Sequence, residues 1–278
     1  MKRYLAPLLA VAVAATAGVA LSTAGSASAA SAPRLDQKTI YMMDDITAVF
    51  EQSKNAPQYS NIENDNDGCG WTAGWIGFCT ETGDMLDLVK KYNVANPDNV
   101  LKKYTATLQK LADDQDDSTA PLGSKFSSDW KTAAKDPVFV QTQLKVGHDD
   151  YLTPALTMAG QIGVKTNLGV ENLFDTALMM GPASTDCDGM PNIVKETTKA
   201  LGGTPATGVS EAAFFKQYNT IRIKHMKNPC TPGRQNDWPD AVGRAQALQK
   251  LWDTGHTSLA PSITIAGGFD ITISNPHD

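Results

Sequence analysis

Residues 49–86, VFEQSKNAPQYSNIENDNDGCGWTAGWIGFCTETGDML, decide how this chain is read. Just upstream and into this stretch, Ile40, Met43, Ile46 and Phe50 recur at three- to four-residue steps, which predicts one apolar helix stripe. Glu51 follows the last of them, near the helix end. Gly68, Gly70, Gly74 and Gly77 then break helical propensity, while Trp71, Trp75, Ile76 and Phe78 favour strand. A short sheet over 69–80 follows, a hairpin with Thr72 in its first strand. Asp67 lies sixteen residues after Glu51, in the glycine-punctuated turn before that hairpin. Such a layout can hold two carboxylates across a cleft, which hydrolysis of a glycosidic bond by proton transfer requires.

Either acid taken alone reads as a solvated surface charge. Their surroundings differ, however. Burial against an apolar helix face would raise the pKa of Glu51 and keep it protonated, whereas Asp67 in a polar turn would stay ionised. That is an acid and a base, and the Thr72 hydroxyl could orient a water between them. The run Glu63-Asn64-Asp65-Asn66-Asp67-Gly68 also looks like half of a calcium loop. It fails at both ends, with Glu63 in first position and Gly74 in the twelfth, where a bidentate Glu is needed.

Outward from this stretch the chain reads as helix. Asn96-Pro97 predicts an N-cap and a first helical turn, with Leu101, Tyr104, Leu108 and Leu111 continuing the face. Asp113 to Asp117 reads as a solvated helix end and loop. A short helix is expected over 129–135, a longer helical region over 137–166, and a helix through Val170, Leu173, Phe174, Ala177 and Leu178 that stops at Gly181-Pro182. Further helices fit 190–201, 210–227 and 238–252. Ile263 and Ile265, a Gly267-Gly268 turn, then Phe269, Ile271 and Ile273 predict a terminal hairpin.

Of the 278 residues, the first thirty or so read as a secretory signal peptide: Lys2 and Arg3, an apolar run from Leu5 to Leu21, then Ser26-Ala27-Ser28-Ala29 for cleavage. No later segment is apolar enough to span a membrane. Without Lys2 and Arg3 there remain 22 basic and 30 acidic residues, a net charge of about −8. That balance disfavours nucleic acid and anionic membranes and would attract a polycation, although plain solubility explains it as well. Secretion permits disulfides. Cys187 and Cys230 lie in loops suited to a staple, and Cys69 and Cys79 flank the hairpin, but four cysteines allow three pairings. No metal site is expected, since the cysteine spacings do not match zinc and the four histidines are scattered. There is no G-x-S-x-G elbow, HExxH or phosphate loop, and no cofactor is expected.

The stretch resembles the family 46 glycoside hydrolases, secreted bacterial chitosanases. Their pattern is a helix glutamate, a D-G-x-G-x-T turn, G-x-I-G-F and T-G-D-M-L. Here these are Glu51, Asp67 to Thr72, Gly74 to Phe78 and Thr82 to Leu86. The likeness continues in 129–139, in 174–182 and around Arg222, and weakens after about residue 225. It implies an α+β, mainly α, lysozyme-like fold: one catalytic domain over 31–278, with two lobes, a cleft and a small sheet beside it. It implies internal, inverting cleavage of β-1,4 links between glucosamine units, by a secreted monomer with chitosan as its partner. Glu51 would be the general acid, Asp67 the general base and Thr72 a holder of the attacking water. Asp84 would bind a substrate ammonium, with Glu63 and Asp65 as possible contributors, and Asp175 and Arg222 would belong to a buried ionic network supporting the glutamate. Trp71 and Trp75 either stack on sugar rings or, sharing a face with Ala73 opposite Thr72, join the core. One departure stands out: position 69, arginine in the family, is Cys69 here. A Cys69–Cys79 disulfide could hold the turn in its stead. The alternatives are a muramidase-like hydrolase of another polysaccharide and a catalytically weak chitosan-binding protein.

Overall fold

The structure is a computed structural model, and it describes residues 33–66 and 68–277. The signal-peptide stretch and Asp67 lie outside the described residues.

The apolar stripe of the first helix forms α1, Gln37–Gln52. Asp36 caps it by accepting from the Thr39 amide at 2.8 Å. It stops where Ser53 turns left-handed, at φ 53°, and donates back to Val49 O. Three short strands follow: β1, Ile62–Glu63; β2, Thr72–Ala73; and β3, Phe78–Cys79. They pair antiparallel in that order, with Thr72 opposite Glu63 on one side and Cys79 on the other. The expected hairpin is present, and β1 adds an edge that two residues could not announce by periodicity.

The helices that follow are α2, Asp84–Ala95; α3, Thr105–Asp114; α4, Phe126–Ala133; α5, Pro137–Gly147; and α6, Thr153–Ile162. After these come α7, Asn167–Met180; α8, Met190–Leu201; α9, Glu211–Lys227; and α10, Gly243–Asp253. The terminal hairpin is β4, Ile263–Ile265, with β5, Ile271–Ile273. The mainly helical α+β class is therefore as expected. A five-residue π-helix, His148–Leu152, joins α5 to α6 inside the expected 137–166 region. Several boundaries differ: α4 starts three residues before the expected 129–135 helix, and the expected 238–252 helix opens as a 3-10 turn, Trp238–Val242, ahead of α10. Asn96 ends α2 rather than opening a helix, and its amide Nδ2 donates to Asp136 Oδ2 at 2.7 Å. Asn99 Oδ1 instead accepts from the Leu101 and Lys102 amides at the entry to the short 3-10 helix Lys102–Tyr104.

Two groups of helices pack around this order. α2 lies against α3, α5 and β3, with Tyr92, Phe139, Trp130 and Phe126 in successive ring contact. α7 sits in the other group, against α1, α6, α8, α9 and α10. Every residue from Leu168 to Ala177 is buried, so α7 is enclosed all round. It nevertheless carries Glu171, Asn172, Asp175 and Thr176, and those side chains need partners inside the protein. That requirement shapes the site.

Candidate active site

Glu51 is the penultimate residue of α1, and only 2% of its side chain is exposed. Gln52 beside it ties the helix end down. Its Nε2 donates to Gly74 O and Gln58 O, both at 3.2 Å, and its Oε1 accepts from the Gln58 amide at 2.8 Å. The glutamate is thus fixed relative to the turn that follows β2.

Its carboxylate is met by a cation from far along the chain. Arg244 Nη1, on α10, donates to Glu51 Oε1 at 2.6 Å, and the guanidinium lies 5.1 Å from the Phe50 ring centroid. The same guanidinium donates through Nε to Asp175 Oδ1 at 3.0 Å and through Nη2 to the same oxygen. Arg222 Nη2 then meets Asp175 Oδ2 at 2.6 Å. The result is a buried chain Glu51–Arg244–Asp175–Arg222. Burial alone would raise the Asp175 carboxyl, but the two guanidiniums outweigh it and hold its pKa below the usual carboxylate value. The family resemblance implied Asp175 and Arg222 in such a network and did not include Arg244, its hub. A signal was present. Arg244 shares a helix face with Ala247, Leu248 and Leu251, all buried, so a charge stood on an apolar stripe.

The turn before β2 is shaped by glycine. Gly70, at φ +73°, would push a Cβ to 2.3 Å from Thr80 Oγ1 and 2.9 Å from Asp117 O. Cys69 and Cys79 form a disulfide directly beside it, and Cys187 pairs with Cys230. Cys69 O also accepts from Thr80 Oγ1 at 2.9 Å and the Glu81 amide at 3.2 Å. The turn is thus stapled to β3 covalently at the position where arginine was expected. Asp67 belongs to this turn by sequence, and Thr72 is half-buried in β2. Among the described residues, one group of potential metal ligands comes together, Cys187, Asp188 and Cys230, but both thiols are spent in their disulfide.

Asp84 is half-buried at the start of α2. Its Oδ1 accepts from the Cys79 amide at 2.7 Å, and from Thr82 Oγ1 and the Met85 amide, both at 2.8 Å. Burial pushes its pKa up to about 6 against those bonds. Three local donors on one oxygen make Asp84 the clasp of the β3–α2 corner, and any ammonium would have to use Oδ2. Glu63 and Asp65 are exposed, with Glu63 Oε1 accepting from Asn61 Nδ2 at 3.1 Å. Trp75 is a core residue: it is fully buried, donates to Gln143 O at 3.0 Å and stands edge-on to His148. Trp71 is half-buried with its ring 6.5 Å from Phe126.

A buried glutamate presented by a helix end and gripped by a cation network, with a disulfide-stapled glycine turn following it in sequence, fits the class of carboxylate glycoside hydrolases. Residues 45–262 match the model of Glycosyl hydrolase family 46, and the chain belongs to that family. The match runs well past residue 225, where the motif likeness fades, and it includes Arg244. A chitosanase of Bacillus subtilis (strain 168) is 34% identical over 208 residues, 75% of this chain and 74% of that one. The chitosanase of Gynuella sunshinyii, solved in complex with chitotetraose, is 32% identical with a TM-score of 0.78. The alignment covers 86% of this chain and 99% of that one. A mutant chitosanase of Bacillus subtilis MY002, complexed with six GlcN units, gives a TM-score of 0.79 at 30% identity, over 87% and 100% of the two chains.

Proposed function

We propose that this protein is a chitosanase that cuts β-1,4 links between glucosamine units inside the chitosan chain, with inversion at the anomeric carbon. Glu51 is the general acid, and the observation that carries this is its burial at the end of α1 in the grip of Arg244. Burial favours the protonated carboxyl, and the guanidinium favours the carboxylate that remains once the proton has gone to the leaving oxygen. Because Asp175 already takes two of its donors, Arg244 offers Glu51 only part of its charge. Asp67 is the general base in the polar turn, and Thr72, one strand position into β2, helps hold the water. Glu63 and Asp65 add negative charge in the run leading to that turn. The Asp84 carboxylate assists ammonium recognition through Oδ2.

Chitosan is a polycation at mildly acid pH, which suits an acidic protein. A secreted location fits two disulfides. Among the described residues no helix is long and apolar enough to cross a membrane. The enzyme works as a single two-lobed domain and as a monomer. The purified protein is expected to lower the viscosity and raise the reducing ends of a chitosan solution at mildly acid pH, and Glu51→Gln and Asp67→Asn to abolish both. An unchanged solution would sink the assignment. Binding without turnover would favour the weak binding protein, and products from peptidoglycan alone the muramidase-like enzyme.

A further inference from the structure

Glu171 has no part in the chemistry above, yet it lies at the centre of its scaffold. It is fully buried on α7, one helical turn before Asp175. Neither of its carboxyl oxygens has a hydrogen-bond partner among the described residues. The charges that act on it sit on four helices. Asp175 is on its own helix, Asp44 is on α1, Arg222 is on α9 and Arg244 is on α10. Asp44 is itself bonded to His148 Nε2 at 2.7 Å. The Tyr218 hydroxyl, also buried, belongs to the same polar interior between α7 and α9.

We propose that Glu171 is a positioning residue for the reaction: through Asp175 and Arg244 it sets how firmly Glu51 keeps its proton. The argument is a count of charges. Asp175, Arg222 and Arg244 together carry one net positive charge, and that charge draws Glu51 toward its ionised form. Ionised Glu171 would cancel it, and Glu51 would then hold its proton more firmly. The two carboxyls are therefore linked through the shared guanidiniums, so that loss of a proton from one opposes loss from the other. The enclosure of Glu171 agrees with this. Burial, with Asp175 and Asp44 beside it, pushes its pKa well above the ordinary value, against the smaller pull of Arg244 and Arg222. Its carboxyl and that of Glu51 thus compete for the single net positive charge that Arg222, Arg244 and Asp175 leave between them. With a proton loss shared between two sites, Glu51 stays protonated to higher pH than it would alone.

This inference rests on Glu51 being the acid, and the test separates the two. The pH dependence of kcat is measured on saturating soluble glucosamine oligomers for the parent enzyme, Glu51→Gln and Glu171→Gln. Use of one substrate throughout cancels the titration of its own amines. Glu171→Gln is expected to leave the acid limb and KM in place and to move the alkaline limb down by roughly 0.5–1 pH unit, the scale of coupling between two carboxyls that share a cation. An amide that merely filled the same space would move neither limb. Superimposable profiles for Glu171→Gln and the parent, with Glu51→Gln inactive, overturn the proposal and leave Glu51 as the acid. Activity in Glu51→Gln overturns both. A second measurement does not depend on the variant folding. The chain has six glutamates, so selective carbon-13 labelling of glutamate carboxyls in the parent protein gives a spectrum simple enough to titrate. Two upward-displaced, mutually distorted titrations are expected, one of which disappears in Glu51→Gln. A single displaced glutamate with a simple titration overturns the proposal.

Discussion

Arg244→Met tests the hub of the site directly. The methionine keeps the stem of the side chain and removes every donor. In the structure those donors serve Glu51 Oε1 at 2.6 Å and Asp175 Oδ1 through both Nε and Nη2, with 6% of the arginine side chain exposed. Breaking a buried ion pair by deleting one partner costs about 3–5 kcal/mol. Asp175 retains Arg222 at 2.6 Å, which places the expectation at the lower end. At about 2–4 °C per kcal/mol for a chain of this size, Tm should fall by roughly 6–12 °C. The kinetic effect comes from geometry. A glutamate no longer held in one orientation loses on the order of 10²-fold in kcat. Arg244→Lys keeps the charge but not the fork, so it cannot serve both carboxylates and should fall between methionine and the parent. The double variant Glu51→Gln, Arg244→Met should lose less stability than the sum of its parts. Calorimetry and oligosaccharide turnover read all three. Arg244→Met with Tm within about 2 °C and kcat unchanged would refute the reasoning, because a buried hub cannot be removed at no cost.

The remaining expectations concern acid, redox and salt. The folded-state pKa of Asp175 is depressed, so its stabilisation is complete above the ordinary Asp value of about 3.9 and is lost as pH falls through the folded value. Urea midpoints between about pH 5 and 2 should therefore fall less steeply for Asp175→Asn than for the parent, and parallel curves would contradict this. Replacing Cys69 and Cys79 by alanine opens a link across 10 residues and should cost about 3 kcal/mol, whereas Cys187 and Cys230, 43 residues apart, should cost about 4. Of the two, the first pair alone should also lower kcat, since it holds the turn that carries Asp67. Equal kinetic effects would argue against that role. Finally, kcat/KM on long chitosan should decline with added salt while kcat holds, because screening weakens capture of a polycation by an acidic protein. A salt-independent kcat/KM would remove charge from the account of binding.

Much of the scaffold was legible because its periodicities are strong. The ranges for α1, α7, α8, α9 and both hairpins follow from apolar spacing and from Gly and Pro stops. Asn96-Pro97 misled because an asparagine side chain can serve either end of a helix. Its bond to Asp136, forty residues away, settled the matter, and no local pattern contains it. Trp75 illustrates the same limit in the favourable direction. Strand alternation pointed toward the core, and the partner that confirms it is Gln143 on α5. Arg244 was lost because a single arginine in a helix ordinarily faces water, and only its apolar neighbours hinted otherwise. Glu171 was passed over for the opposite reason: it sits in a run read as apolar, and its importance depends on charges brought in by three other helices.

The two aspartates in the middle of α1 bear on the order in which the molecule assembles. Asp44 meets His148, Asp45 accepts from the His277 amide at 3.0 Å, and Glu51 meets Arg244, across 104, 232 and 193 residues of sequence. All three acids belong to one helix near the front of the described chain, and all three partners arrive late. Until they do, α1 has three carboxylates that are better left in water than buried. A chain emerging from the ribosome in sequence order would therefore carry Glu51 on an open, hydrated segment. Synthesis of α1 and closing of the Glu51 site become separate events in time, and the network is complete only once the distant cations and histidines have come home.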